Sequence, residues 1–147
     1  MIPKQITIHH SASNKNTTFQ EINAWHKARF DYISSLGFYV AYHYLITSDG
    51  VVKQARRDNE LGAHSPPNDG KIGICLTGNF DLYEPTQEQI KSLTELVEKL
   101  KKDYNINDVK GHRDCNRTEC PGNNLYKWVL MQKISWLQKL INKLLGK

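Results

Sequence analysis

Two short motifs about a hundred residues apart carry side chains able to bind a metal. They are Ile8-His9-His10-Ser11-Ala12, and Gly111-His112-Arg113-Asp114 followed by Cys120-Pro121-Gly122. One histidine of the first motif, with His112 and Cys120, makes a His-His-Cys set. Such a set suits a catalytic zinc, which takes three protein ligands and keeps one coordination position for water. His112 and Cys120 stand eight residues apart. That is not a zinc-finger spacing, and no second ligand pair completes a four-ligand structural site. Zinc held this way would lower the pKa of its water and polarise a carbonyl. Amide hydrolysis would further need a group to orient the water and a donor for the oxyanion.

These side chains converge only if the first strand lies beside the one that delivers His112. Gln5 to His10 alternates and is rich in β-formers, so it reads as a strand whose two histidines point to opposite faces. Thr18-Phe19-Gln20-Glu21 is a capping box and opens a helix expected to run to about Ser35, before Gly37. Tyr42 to Thr47 and Val51 to Gln54 flank Ser48-Asp49-Gly50, a hairpin signal. Ala63 to Gly70 is a loop punctuated by Pro66-Pro67 and Asn68-Asp69-Gly70. Ile72 to Leu76 is a continuous apolar run that suits a central strand. Thr86 caps a second helix with the stripe Ile90, Leu93, Val97, Leu100 and Tyr104. A short strand from Asn107 to Lys110 precedes His112, and a third helix starts near Asn123-Asn124. The order argues a single α/β domain, a central mixed β-sheet flanked by about three α-helices.

At 147 residues the chain is long enough for one sizeable core. Its 39% hydrophobic and 24% charged content is ordinary for a globular chain. No apolar run approaches a membrane span, and Met1-Ile2-Pro3-Lys4-Gln5 has no signal-peptide core, so no export signal is expected. A net charge of +5 favours anionic partners without choosing among them. No nucleic-acid recognition motif is present, so nucleic acid is not expected as a partner. Three cysteines make no disulfide framework. Cys75, in an apolar run, reads as a buried inert thiol. Cys115 reads as a loop residue, because pairing it with Cys120 would remove a metal ligand.

Between the two metal motifs lies Val40-Ala41-Tyr42-His43-Tyr44, and Gly78-Asn79-Phe80 follows the central strand. With His9-x-Ser11-Ala12, His112-Arg113-Asp114 and Cys120-Pro121-Gly122, these segments resemble the type-2 N-acetylmuramoyl-L-alanine amidases over roughly residues 5 to 130. That family includes phage lysins and animal peptidoglycan-recognition proteins. The resemblance selects His9 over His10 and implies His9, His112 and Cys120 as zinc ligands. It implies that Tyr42 orients the water and hydrogen-bonds the tetrahedral intermediate. Thr118 takes the place of a lysine in the phage branch and a threonine in the recognition proteins. His64 matches a position lining the groove and Asn68 the asparagine before Ile72-Gly73, and the resemblance implies both as substrate-binding residues. His26, in Trp25-His26, is expected to pack beside the site, with a direct substrate contact as the alternative. Between His26 and Tyr42 the chain is longer than the phage pattern, with an aromatic-rich insert from Phe30 to Tyr39 expected beside the groove.

The function implied is zinc-dependent cleavage of the amide between N-acetylmuramic acid and L-alanine in peptidoglycan. A compact monomeric endolysin is expected, held in the host bacterial cytoplasm until lysis. Residues 1–135 would form the catalytic domain, and residues 136–147 a basic amphipathic helical extension. In the tail, Lys133, Lys139, Lys143 and Lys147 accompany an apolar stripe through Leu137, Ile141 and Leu144. From Trp136 onward, contact with anionic membrane or cell wall competes with self-association through that stripe. A cytosolic amidase recycling muropeptides is a rival, but that relative usually places a glutamate where Tyr42 stands. A non-catalytic recognition module is another, but such proteins typically lack the metal cysteine.

Overall fold

The computed structural model describes residues 1–146; Lys147, the last of the tail lysines, lies outside them. Five strands and three helices follow in the order β1 (Gln5–His10), α1 (Phe19–Phe30), β2 (Tyr44–Ile46), β3 (Val52–Gln54), β4 (Lys71–Leu76), α2 (Gln87–Tyr104), β5 (Asp108–Gly111) and α3 (Asn123–Leu144). The strands form one mixed sheet in the order β3-β2-β4-β1-β5. β3 is antiparallel to β2, and the other pairings are parallel. β1 therefore sits between β4 and β5, with His9 opposite Cys75 and Ile8 opposite Gly111. That neighbour relation is what the metal motifs require.

Alternation along the strands divides the interior. On one face Ile6, Ile8, Tyr44, Ile46, Ile72, Ile74 and Leu76 pack against Leu93, Val97 and Leu100 of α2 and Leu125, Trp128 and Val129 of α3. On the other, Leu45 and Cys75 meet Phe19 and Ile22 of α1, with Val40 and Ala55. Burying a large aliphatic side chain is worth about 1.5–3 kcal/mol, so the first cluster fixes how the helices lie on the sheet. Both capping boxes form: Thr18 with Glu21, and Thr86 with Gln89.

α1 stops at Phe30, short of the expected Ser35. Asp31 turns left-handed at φ 45°, and its N–H closes on the Lys27 carbonyl. The cause lies outside the helix. The guanidinium of Arg56, a residue only 1% exposed, donates to the carbonyls of Val40 and Tyr32, and Ser34 donates its hydroxyl to the Ala55 carbonyl. Asn23 accepts the Tyr39 N–H at the far end of the same connection. The insert is thus pinned to the loop after β3, and of its residues only Phe30 lines the groove.

α3 passes residue 135 without a break, and what changes along it is burial. Leu125, Trp128 and Val129 are buried, whereas Ile134, Leu137, Leu140, Ile141, Leu144 and Leu145 are 40–78% exposed. Trp136 and Leu137 overhang a concavity of about 360 Å3 beside β5. Among the described residues, no helix is long and apolar enough to cross a membrane.

Candidate metal centre

At the C-terminal ends of the neighbouring strands β1 and β5, His9, His112 and Cys120 come together. One ligand atom from each lies within 4.8 Å of the others. The Nδ1 of His9 stands 3.6 Å from the Cys120 Sγ. Donors around one tetrahedral zinc lie roughly 3.3–3.8 Å apart, given bond lengths of about 2.0–2.3 Å. The donor set therefore fits a zinc ion. His10 is on the other face of β1, where its Nδ1 accepts the Phe80 N–H. This opposition follows from strand alternation.

The loop between His112 and Cys120 is closed by hydrogen bonds. The Arg113 N–H donates to the Cys120 carbonyl at 2.8 Å, and the Arg113 guanidinium to the Glu119 carbonyl. Asp114 braces the loop from outside. It accepts the Gly111 N–H, the Tyr126 hydroxyl and the Lys133 ammonium, which tie the loop to α3.

The electrostatics suit a cation. Burial, then the neighbouring His64 and His112, holds the pKa of His9 well below the usual imidazole range, and burial lowers that of His112. Both rings are neutral donors at pH 7. Burial pushes the Cys120 thiol up to about 12, so without a cation it keeps its proton. A dication held by these donors would reverse that preference and release the proton.

Beside the three donors runs a cleft of about 400 Å3. Ile22, Trp25, His26 and Arg29, at helical spacing on α1, form one wall, while Ser11, His64 and His112 lie among the residues lining the remainder. The Tyr42 ring is 5.0 Å from that of His9. Burial, with the Cys75 and Cys120 thiols beside it, raises the Tyr42 phenol well above its ordinary value. It stays protonated and can only donate to a developing negative charge. The Nδ1 of His26 accepts the Ala41 N–H, and its ring packs against Phe30 and Tyr42. Thr118 accepts the Cys120 N–H, which leaves its own hydroxyl proton free to donate.

His64 lines the inner end of the cleft, as expected, whereas Asn68 stands behind it. His64 is 6% exposed, with its Nδ1 3.0 Å from the His9 Nε2. Asn68 uses its side-chain oxygen to accept the N–H groups of His64 and Ser65, and is not among the residues lining the cleft. The α1 stripe extends the Trp25-His26 pair to Ile22 and Arg29 at helical spacing, whereas Asn116, whose side chain lies beside His112 and bridges to Ser65 and Pro66, carries no signal in the sequence. Cys115 accepts from the Gln5 side chain and is not part of the donor cluster.

Comparison with known proteins agrees with this geometry. The profile of the N-acetylmuramoyl-L-alanine amidase family matches residues 1–123. The chain is 33% identical over 105 residues to peptidoglycan-recognition protein SD of Drosophila melanogaster, covering 69% of this chain and 56% of that relative. It thus spans little more than half of that protein. It is 31% identical over 132 residues to the endolysin of Enterobacteria phage T3, covering 84% and 83%. Among solved structures, the N-acetylmuramoyl-L-alanine amidase LysC from Clostridium intestinale superposes with a TM-score of 0.77 at 37% identity, over 88% of this chain and 83% of that one. A match across five-sixths of the sequence, on a fold that gathers two histidines and a cysteine beside an open cleft, places this chain in the N-acetylmuramoyl-L-alanine amidase family.

Proposed function

We propose that the protein hydrolyses the amide between N-acetylmuramic acid and L-alanine in bacterial peptidoglycan as a zinc-dependent endolysin. The observation that carries this reading is the His9, His112 and Cys120 cluster opening on a cleft walled by α1. These three residues would hold the zinc, which supplies a Lewis acid and an acidified water. The glycan-linked peptide would lie along the cleft, between Trp25 and the mouth of the site. Tyr42, kept protonated by burial, donates a hydrogen bond to the carbonyl oxygen as charge develops there. Thr118 is a second hydroxyl donor, weaker than an ammonium would be. Such a protein would wait in the host bacterial cytoplasm until lysis.

The deciding experiment incubates the protein with isolated peptidoglycan, with zinc or with chelator, and reads the new ends by mass spectrometry. New L-alanine amino termini that appear only with metal support the amidase. Wall binding without new ends, in metal-loaded protein, points instead to a recognition module. Tyr42→Phe should lower kcat by roughly 10²–10³, the effect of losing one oxyanion donor. KM and the zinc content should change little; an unchanged kcat removes Tyr42 from the chemistry.

The exposed apolar stripe of α3, with Lys139 and Lys143 on the same segment, supports a second role in touching an anionic envelope surface. Deletion of residues 136–147 should reduce killing of whole cells more than hydrolysis of purified wall. Equal losses in the two assays would reject envelope contact. A concentration-dependent dimer lost on deletion would favour self-association through the same stripe.

A further inference from the structure

We infer that His64 is a positioning residue that fixes the tautomer of His9 and so aims the His9 Nδ1 lone pair at the metal, an inference that rests on the zinc reading above. A neutral imidazole has one N–H and one lone pair, and its tautomer follows the partner of the nitrogen that does not ligate. In His9 the Nδ1 faces Cys120 and the Nε2 faces the His64 Nδ1 at 3.0 Å. Two histidines in contact can share that hydrogen bond in either direction, and only one direction allows His9 to ligate through Nδ1. The His9 Nε2 must donate, and the His64 Nδ1 must accept.

The far side of His64 offers nothing that opposes this direction. Its Nε2 is buried without a hydrogen-bond partner, so no donor competes to hold a lone pair there. The His64 proton can then sit on Nε2, which leaves the Nδ1 lone pair for His9.

The ring has little freedom to depart from this arrangement. A Cβ on Gly62 would stand 2.5 Å from the His64 ring, and one on Gly73 2.7 Å from it. Asn68 holds the His64 N–H from the loop side. His64 also cannot serve the substrate with a ring nitrogen: Nδ1 is engaged with His9, and Nε2 has no exposed surface. The neighbouring His43 is excluded as an alternative partner of His9, because its Nδ1 accepts the Gly73 N–H and its Nε2 lies 2.9 Å from the Glu60 carbonyl.

The test measures zinc affinity by competition with a chromophoric chelator, using metal-free wild type, His64→Leu and His64→Asn. The amide oxygen of Asn can accept at the place of Nδ1, whereas Leu accepts nothing. Zinc should bind His64→Leu roughly 10–100-fold more weakly, the usual effect of losing such a partner. His64→Asn should recover most of that loss. Equal affinity in folded wild type and His64→Leu overturns the inference. If His64→Leu does not fold, long-range ¹⁵N–¹H NMR of the metal-free wild type decides. His9 should be the Nε2–H tautomer, and Nδ1–H overturns the pairing. A wild type that binds no zinc would sink the zinc reading itself, a separate failure that the tautomer measurement does not share.

Discussion

Exchange of Cys120 for Ser should remove zinc retention and peptidoglycan hydrolysis together. A hydroxyl is isosteric with the thiol but is not ionised by the metal at neutral pH, so the site loses its single anionic donor. The loss should exceed the roughly 100-fold typical of an outer-shell partner, because a direct ligand is gone. The fold should survive, since the thiol makes only weak contacts, with His9 at 3.6 Å and the His10 carbonyl at 3.9 Å. Zinc content after dialysis and the yield of L-alanine termini provide the two readings. Cys115→Ser is the control: that thiol sits against Gln5, away from the donors, and should change neither. Hydrolysis by a metal-free Cys120→Ser protein would overturn the mechanism.

A large effect on stability should come from acid. All six histidines have pKa values held below the ordinary 6.5, and burial is the leading cause in each. His26 lies at about 4 and His64 at about 3. Above pH 6.5 neither the folded nor the unfolded chain binds these protons, and stability does not depend on them. Below it the unfolded chain takes up protons that the folded one refuses, so stability falls until each folded pKa is passed. Each histidine contributes about 1.4 kcal/mol per pH unit to that slope. Two fully engaged would remove roughly 3 kcal/mol per unit, against a typical total of about 5–15 kcal/mol. The metal-free protein should therefore lose much of its stability between pH 6.5 and 4, with zinc opposing the loss at the upper end. Urea midpoints at successive pH values measure this directly; a flat profile from pH 7 to 5 would show that the histidines are not buried neutral.

The parts of the fold that depend on local chemistry were legible in the sequence. Thr18 and Thr86 mark helix starts because a cap and its N3 partner are neighbours along the chain. His9 and His10 separate to opposite faces because alternation is a local property of a strand. The end of α1 was not legible, since it depends on Arg56, a residue far along the chain, whose guanidinium captures the Tyr32 carbonyl. The donors of the metal site could be named from their types and spacing. Their supports could not: the pairing of His64 with His9, and the placing of Asn116 beside His112, depend on how two loops fold over the ends of the strands. Exposed and buried histidines look alike in a sequence.

The position of β1 between β4 and β5 has a consequence for synthesis. His9 emerges from the ribosome early, but its strand pairs on one side with residues 71–76 and on the other with residues 108–111. The remaining donors, His112 and Cys120, come later still. Until residues 108–112 emerge the nascent chain has an open strand edge and His9 without either partner donor, and pairing this distant in sequence is slow to close. The three donors can therefore come together only after nearly the whole domain has been translated and the first strand has found its last neighbour. A chain stalled short of residue 120 would hold an incomplete donor set.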